Sequence, residues 1–281
     1  MGNTVLLHHI GLVSATEHLL SGELARVSAA LQKQVTRDLA PIWGIQATVD
    51  AFATLDDVPI DYWPIVVRDD IQEPGAAGIH LDEQGHPFAL VQYSKGGWSL
   101  TASHECLEML CDPSGNLVRA GKSPIQEQGR VEFLVEVCDP CEADEFAYSI
   151  NGVTVSDFYT PHYFDPVIAS GVRYSFTGAI KQPRQVLKGG YLSWHDPVTN
   201  HWWQETFFNA KPEFRNLEVL AQAEGSIRTL IYQKTPEAFK ARALKSKSAR
   251  RANEVLDEVA AAGNAKAKRL RAQIDAMLGK K

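Results

Sequence analysis

The chain has 281 residues, of which 44% are hydrophobic and 22% are charged. This composition is typical of a globular protein and excludes a disordered chain, a collagen and a coiled-coil rod. No apolar run reaches the roughly 18 residues of a membrane span, so we expect no membrane-spanning segment. The first 20 residues lack the pattern of a secretory signal, and there are only four cysteines. Both features predict a cytoplasmic protein in a reducing compartment.

The net charge of −6 is unevenly distributed. The segment from Lys234 to Lys281 contains 13 Lys and Arg against 5 Asp and Glu, a net charge of +8. The preceding residues contain 15 against 29, a net charge of −14. The basic segment is rich in alanine and has almost no aromatic residues, which favours a solvated helix over a nucleic-acid binding surface. We therefore expect it to dock onto a protein partner or onto the acidic body, and we expect no nucleic acid to bind.

The first 113 residues predict a helix, several short strands and a second helix. The first helix follows Ser21, with apolar residues at spacings of three and four, and is expected to end at Pro41. The second helix is expected to begin near Ser99 or Thr101 as N-cap. The predicted strands and the second helix cover residues 45–52, 64–67, 78–81, 88–93 and 98–111.

The middle of the chain is β-rich in this interpretation. Residues 114–130 predict a loop, 131–137 a strand, and 148–158 a hairpin that turns at Asn151-Gly152. Residues 190–208 predict a second hairpin. The fold class is therefore α+β, and we expect three regions: 1–130 with the sheet and second helix, 131–233 as the β-rich part, and 234–281 as the basic helical tail.

The chemistry of the chain is concentrated in the sequence His104-Glu105-Cys106-Leu107-Glu108. On a helix, residues four apart lie on the same face, so His104 and Glu108 could bind one metal ion. Glu105 lies beside them, where a carboxylate could accept a proton from a metal-bound water as general base. The zinc-binding helix motif HExxH has a second histidine where this chain has Glu108. The carboxylate adds negative charge to the site, so a divalent ion other than Zn²⁺ is also compatible.

A second acidic cluster could complete such a site. Its residues Glu136 and Asp139 are the first choices for a remote metal ligand. Asp112 follows, because it lies near the same helix face, two turns from His104. Asp157 and His162 are weaker candidates, because isolated polar residues at strand ends are usually turn or surface groups.

The cysteines allow a competing interpretation as a Cys₄ zinc site. The spacing of Cys106 and Cys111 would place them about 140° apart around a helix, which is unfavourable for binding one ion. Buried thiols are the simpler explanation. Trp194, Trp202 and Trp203 form an aromatic group that is more typical of a core or an interface than of a ligand platform. The sequence has no phosphate-binding loop, dinucleotide fingerprint or Gly-x-Ser-x-Gly elbow.

The motif pair resembles two known families. A backing helix, several strands and a helix beginning with His-Glu are similar to the N-terminal half of zincin metallopeptidases. The pattern HExxE-x₃-DP, followed by E-x-x-D-x-C, resembles exordium-like (phosphate-induced) proteins over about residues 20–165. The matching residues are His104, Glu105, Glu108, Asp112, Pro113, Glu136, Asp139 and Cys141. The chain differs from the exordium-like proteins in that we expect no secretion signal from the pattern of its first 20 residues, and in having a second cysteine, Cys138.

The resemblance implies a zincin-like fold with a backing helix, a mixed sheet and an active-site helix, and a metal site. We expect a zinc-dependent peptidase in which Glu105 activates the metal-bound water, with a peptide or protein substrate held along the strand pair 79–93. The alternative is a non-catalytic binding or structural module on the same scaffold, because a fold does not establish an activity.

Overall fold

The computed structural model describes residues 6–73, 76–83, 85–220 and 226–235. Within these residues the fold is mixed α+β, as predicted, with two five-stranded sheets, one small hairpin and the helices that pack against them. Nearly all of the expected basic tail lies outside the described residues, so its helical prediction stays a prediction.

The first sheet has the strand order β2-β1-β3-β5-β4. β1, β2, β3 and β5 run parallel, whereas β4 is an antiparallel edge strand that pairs with β5. Its strands are β1 to β5 in chain order: Leu7–Ser14, Gln46–Phe52, Trp63–Arg68, Gly78–Glu83 and His86–Gln92. The sequence predicted four of these strands and missed β1.

The first helical segment is longer than predicted at its C-terminal end. α1 covers Ser21–Lys33, a π-helical turn covers Gln34–Leu39, and α2 covers Ala40–Trp43. The prediction that Pro41 ends this helix is wrong. Pro41 lies in the first turn of α2, where a residue without an N–H is tolerated, and the left-handed Gly44 ends the helix.

α3 covers Trp98–Cys111, the predicted bounds of the second helix. Its N-cap is Gly97 rather than Ser99 or Thr101. Two hydrogen bonds tie it to the first helical segment: Trp98 Nε1 donates to Glu23 Oε1 at 2.8 Å, and Ser103 Oγ donates to Gln34 Oε1 at 2.8 Å. These bonds fix α3 against the layer formed by α1 and its π-helical extension.

The second sheet is antiparallel, with the order β12-β11-β10-β7-β6. β6 was not predicted; it lies in the segment expected to be a loop. The strands of this half are β6 to β12 in chain order: Val118–Lys122, Arg130–Leu134, Tyr148–Ile150, Val153–Val155, Tyr191–Asp196, His201–Thr206 and Glu213–Glu218. The hairpins β8–β9 and β10–β11 confirm the two predicted hairpins.

Short 3-10 helices and one further α-helix are the remaining helical elements of the described residues. The 3-10 helices cover Leu55–Asp57, Gln126–Gln128, Asp139–Cys141, Asp144–Phe146 and Pro161–Phe164. α4 covers Ile227–Lys234, and Ser226 caps it by accepting a hydrogen bond from Thr229 N–H at 3.2 Å. One large hydrophobic core runs from β1 through α3 to β10, so the two sheets share their interior.

A buried carboxyl on β11 predicts a pH-dependent stability. Burial raises the pKa of Glu205 to about 7, above its ordinary value of about 4.3. The folded protein therefore binds more protons between these two values, and its free energy of unfolding falls as the pH rises through them. We expect a decrease of up to about 3 kcal/mol between about pH 4.5 and pH 7.5.

Denaturant unfolding across this pH range measures the effect. Glu205→Gln should flatten the profile, whereas Glu213→Gln, at an exposed position on β12, should leave it unchanged. Equal pH profiles for the wild type and Glu205→Gln would contradict the assignment.

Candidate metal centre

α3 brings His104 and Glu108 together on its inner face. Glu108 is completely buried and His104 is 12% exposed. The two side chains meet as i and i+4 neighbours, with 3.3 Å between His104 Nε2 and Glu108 Oε2. The other oxygen, Glu108 Oε1, accepts a hydrogen bond from the Cys138 backbone N–H at 3.2 Å. This bond fixes the carboxylate so that Oε2 stays beside His104.

The segment after β7 supplies the third group. Asp139 begins a 3-10 helix, and its Oδ1 lies 3.3 Å from the same His104 Nε2. Backbone hydrogen bonds hold this segment: Tyr159 N–H donates to Val137 at 2.8 Å, and Leu187 N–H donates to Pro140 at 2.9 Å. The structure therefore places two sequence-predicted carboxylates around one imidazole nitrogen.

Each of the two His104–carboxylate separations is close to that between two ligands of one metal ion, although no donor group of the described residues contains both Glu108 and Asp139. A charge-assisted N–H···O bond is about 2.7–2.9 Å long. Two ligands of a tetrahedral zinc ion, each about 2.0–2.1 Å from the metal, lie about 3.3 Å apart. Moreover, Asp139 Oδ1 is buried and has no hydrogen-bond partner among the described residues. The donor set of one imidazole and two carboxylates is one that zinc and manganese accept.

Three groups of donors lie within 4.8 Å of one another in the described part of the chain. Two include His104, and the third is centred on His80. The members of the three groups are His104–Glu108–Cys138, His104–Asp139–Glu142 and His80–Glu108–Glu136. Glu142 and His80 were not predicted from the sequence.

Arg228 is the other group that sequence reasoning missed. It lies in the first turn of α4 and is 6% exposed. Its Nε donates to Glu136 Oε2 at 2.8 Å, and its Nη2 donates to Glu108 Oε2 at 3.0 Å and to Glu105 Oε2 at 3.3 Å. One guanidinium therefore joins both carboxylates of the HExxE motif to the second acidic cluster.

The ionisable groups of this centre interact strongly with one another. Burial lowers the pKa of His104, but the carboxylates of Glu108 and Asp139 outweigh it and raise the pKa well above the ordinary value. Burial, with the charge of Glu108, raises the pKa of Asp139 to about 7. Binding of a metal would therefore displace a proton from His104, because only the neutral imidazole is a ligand.

Glu105 lies where α3 meets the edge strand β4. A Cβ added to Gly78 would come within 2.8 Å of Glu105 Oε1 and 2.6 Å of Thr101 Cγ2. Only glycine allows β4 to pass this close to the helix without displacing these side chains. The predicted general base thus lies against the strand that was expected to hold a substrate.

The remaining predicted residues do not join the centre. The Asp112 carboxylate accepts hydrogen bonds from the backbone N–H groups of Asn116 and Leu117 at 3.1 and 2.8 Å, so it organises the turn after α3. Asp157 accepts from Thr177, and His162 pairs with Asp165 at 2.9 Å. No group of donors that the structure describes includes any of the three.

The cysteines are buried, and so are two of the three tryptophans of the β10–β11 hairpin. All four cysteines are buried and free, and burial raises the pKa of the Cys138 thiol well above its ordinary value. No donor group of the described residues contains more than one cysteine, which disfavours a Cys₄ site. In the β10–β11 hairpin, Trp194 is completely buried and its Nε1 donates to Gln128 Oε1 at 2.8 Å.

Comparison of the chain with protein-family models, with curated proteins and with solved structures finds no match. The resemblance to zincins and to exordium-like proteins therefore stays a prediction. No helix of the described residues is long and apolar enough to cross a membrane.

Proposed function

We propose that the chain is a metal-dependent hydrolase that cleaves peptide bonds, with His104, Glu108 and Asp139 as metal ligands. The observation that carries this proposal is the 3.3 Å separation of His104 Nε2 from both Glu108 Oε2 and Asp139 Oδ1. A zinc ion, or another divalent ion, bound there supplies a Lewis acid that polarises a carbonyl and acidifies a water.

Glu105 is the general base in this proposal. It follows His104 directly on α3 and is 3% exposed. Its carboxylate takes the proton of the attacking water and then passes it to the leaving amine. Arg228 and His80, whose Nδ1 lies 3.5 Å from Glu105 Oε2, orient this carboxylate.

β4 supports a peptide as the substrate class. It is the edge strand of the first sheet and is antiparallel to β5. An extended peptide can pair with the backbone of such a strand, and this pairing tolerates varied side chains. Because Gly78 of β4 contacts Glu105, a peptide paired there would have its backbone next to the base.

The metal content of the purified protein tests the proposal. We expect about one zinc ion per chain, lost in His104→Ala and Glu108→Ala, because each variant removes a ligand. His162→Ala is the matched control and should keep the metal, since His162 pairs with Asp165 away from the centre. Elemental analysis after dialysis against zinc gives the stoichiometry.

Absence of zinc from the wild type would overturn the proposal. It would favour the alternative, a binding or structural module, for which the bonds from Arg228 to three buried carboxylates are the supporting observation. In that module, the guanidinium offsets part of the carboxylate charge and no metal is bound.

A further inference from the structure

A further group of possible metal donors lies around His80. His80, Glu108 and Glu136 each offer an atom, these atoms lie within 4.8 Å of one another, and all three residues are buried. His80 has no exposed side-chain surface, and neither of its ring nitrogens has a hydrogen-bond partner among the described residues. A buried imidazole without a partner is costly unless it faces a charge or a ligand.

The guanidinium of Arg228 binds the same carboxylates. Its two bonded nitrogens contact Glu136 at 2.8 Å and Glu108 at 3.0 Å, and these are the two acidic members of the His80 group. A guanidinium keeps its positive charge under all ordinary conditions and binds carboxylates with fixed geometry. Arg228 therefore occupies the carboxylates that a second metal ion would need.

The position of Arg228 is fixed by the backbone of α4. Its own N–H donates to Gly115 at 3.0 Å, and the N–H of Ile227 donates to Asn116 Oδ1 at 2.8 Å. Both acceptors lie in the turn that follows α3, so α4 is attached to the helix that carries the HExxE motif. The guanidinium is thus a built-in part of the centre and does not depend on a flexible surface side chain.

One divalent ion does not balance all the buried carboxylates of the centre. Four carboxylates of the centre are at most 6% exposed: Glu105, Glu108, Glu136 and Asp139. One divalent ion at His104 would balance two of them, and any of the others that is ionised would remain as uncompensated buried charge, which is strongly unfavourable. A further positive charge within bonding distance reduces this excess.

We propose that Arg228 takes the place of a second metal ion, so that the centre holds one divalent ion and one guanidinium. This inference rests on the proposed metal site at His104. It predicts that removing the guanidinium opens a second divalent site at His80, Glu108 and Glu136, with Glu108 shared between the two ions, as carboxylates are in two-metal centres.

The stoichiometry of zinc binding by the full chain tests the inference. The wild type should bind one Zn²⁺, Arg228→Ser should bind two, and Arg228→Ser/Glu136→Gln should return to one because a donor of the second site is lost. Arg119→Ser, at an exposed position on β6, is the matched control and should bind one. Isothermal titration and elemental analysis measure the number of ions.

Folding of Arg228→Ser provides a second readout. We expect this variant to be unstable without metal and to regain a cooperative thermal transition when zinc is added, because the second ion replaces the missing charge. If it stays unfolded at saturating zinc, the inference is wrong. It is also wrong if Arg228→Ser binds a single ion, or if the wild type already binds two.

These outcomes separate the inference from the proposed function. If the wild type binds no zinc, the proposed metal site at His104 is wrong, and so is the inference that rests on it. If the wild type and Arg228→Ser each bind one zinc ion, the metal site at His104 is supported and only the role given to Arg228 is wrong.

Discussion

Glu105→Gln is expected to keep about one zinc ion per chain and to lose hydrolysis of peptides, with kcat lower by about 10²- to 10⁴-fold. The glutamine has nearly the same shape but cannot accept a proton. Glu105 is not among the proposed ligands, so the donors His104, Glu108 and Asp139 remain. Cleavage of an unfolded protein such as casein, measured beside elemental analysis of the same samples, gives both quantities.

The control for Glu105→Gln is Glu127→Gln, which makes the same chemical change at an exposed residue of a 3-10 helix. It should leave the rate unchanged. Full activity in Glu105→Gln would assign the base to another group. Loss of the metal together with the rate would mean that Glu105 is a ligand, and the roles of the HExxE carboxylates would have to be exchanged.

The sequence could predict the helix that carries the motif because the signals there are local. The spacing of His104 and Glu108 is a property of the α-helix itself, and Asp112-Pro113 marks its end. The same reasoning placed α3 at its observed bounds. Asp139 was proposed because a second acidic cluster follows, although only the fold could bring it within 3.3 Å of His104.

Arg228 and His80 could not be predicted because their partners are distant in the chain. Arg228 is 92 residues from Glu136 and 120 from Glu108. The only local signal is that it lies three residues before Ile231 on α4, on the face that is buried. A histidine on an edge strand such as β4 gives no indication that it will meet two carboxylates of a helix.

β1 and β6 were missed for different physical reasons. β1 contains His8 and His9 between apolar residues, and these polar side chains hid a central strand whose later residues are buried. β6 is short and mostly exposed, with the pattern of an edge strand, and it lies in a segment rich in glycine and proline. Both segments are strands because they pair with neighbouring strands of a sheet. Their local propensity alone does not predict this.

Replacement of Arg228 by methionine is expected to cost about 3–5 kcal/mol of the free energy of unfolding in metal-free protein, the usual result of removing one partner from a buried charge cluster. Methionine keeps most of the volume of the side chain, so the loss reports the missing charge and its three hydrogen bonds. Denaturant unfolding in the presence of a chelator measures it, with Arg119→Met as the matched exposed control.

A double-mutant cycle with Glu136→Gln separates the ion pair from packing. Glu136 Oε2 receives the shortest of the Arg228 bonds, at 2.8 Å, and burial together with the charge of Glu108 raises the pKa of Glu136 well above its ordinary value. Without the Arg228 guanidinium, the buried Glu136 carboxylate destabilises the folded state. The double variant Arg228→Met/Glu136→Gln should therefore be more stable than Arg228→Met alone. The assignment is wrong if the effects of Arg228→Met and Glu136→Gln on the free energy of unfolding simply add. It is also wrong if Arg228→Met costs less than about 1 kcal/mol, because Arg228 would then not be the charge that stabilises this centre.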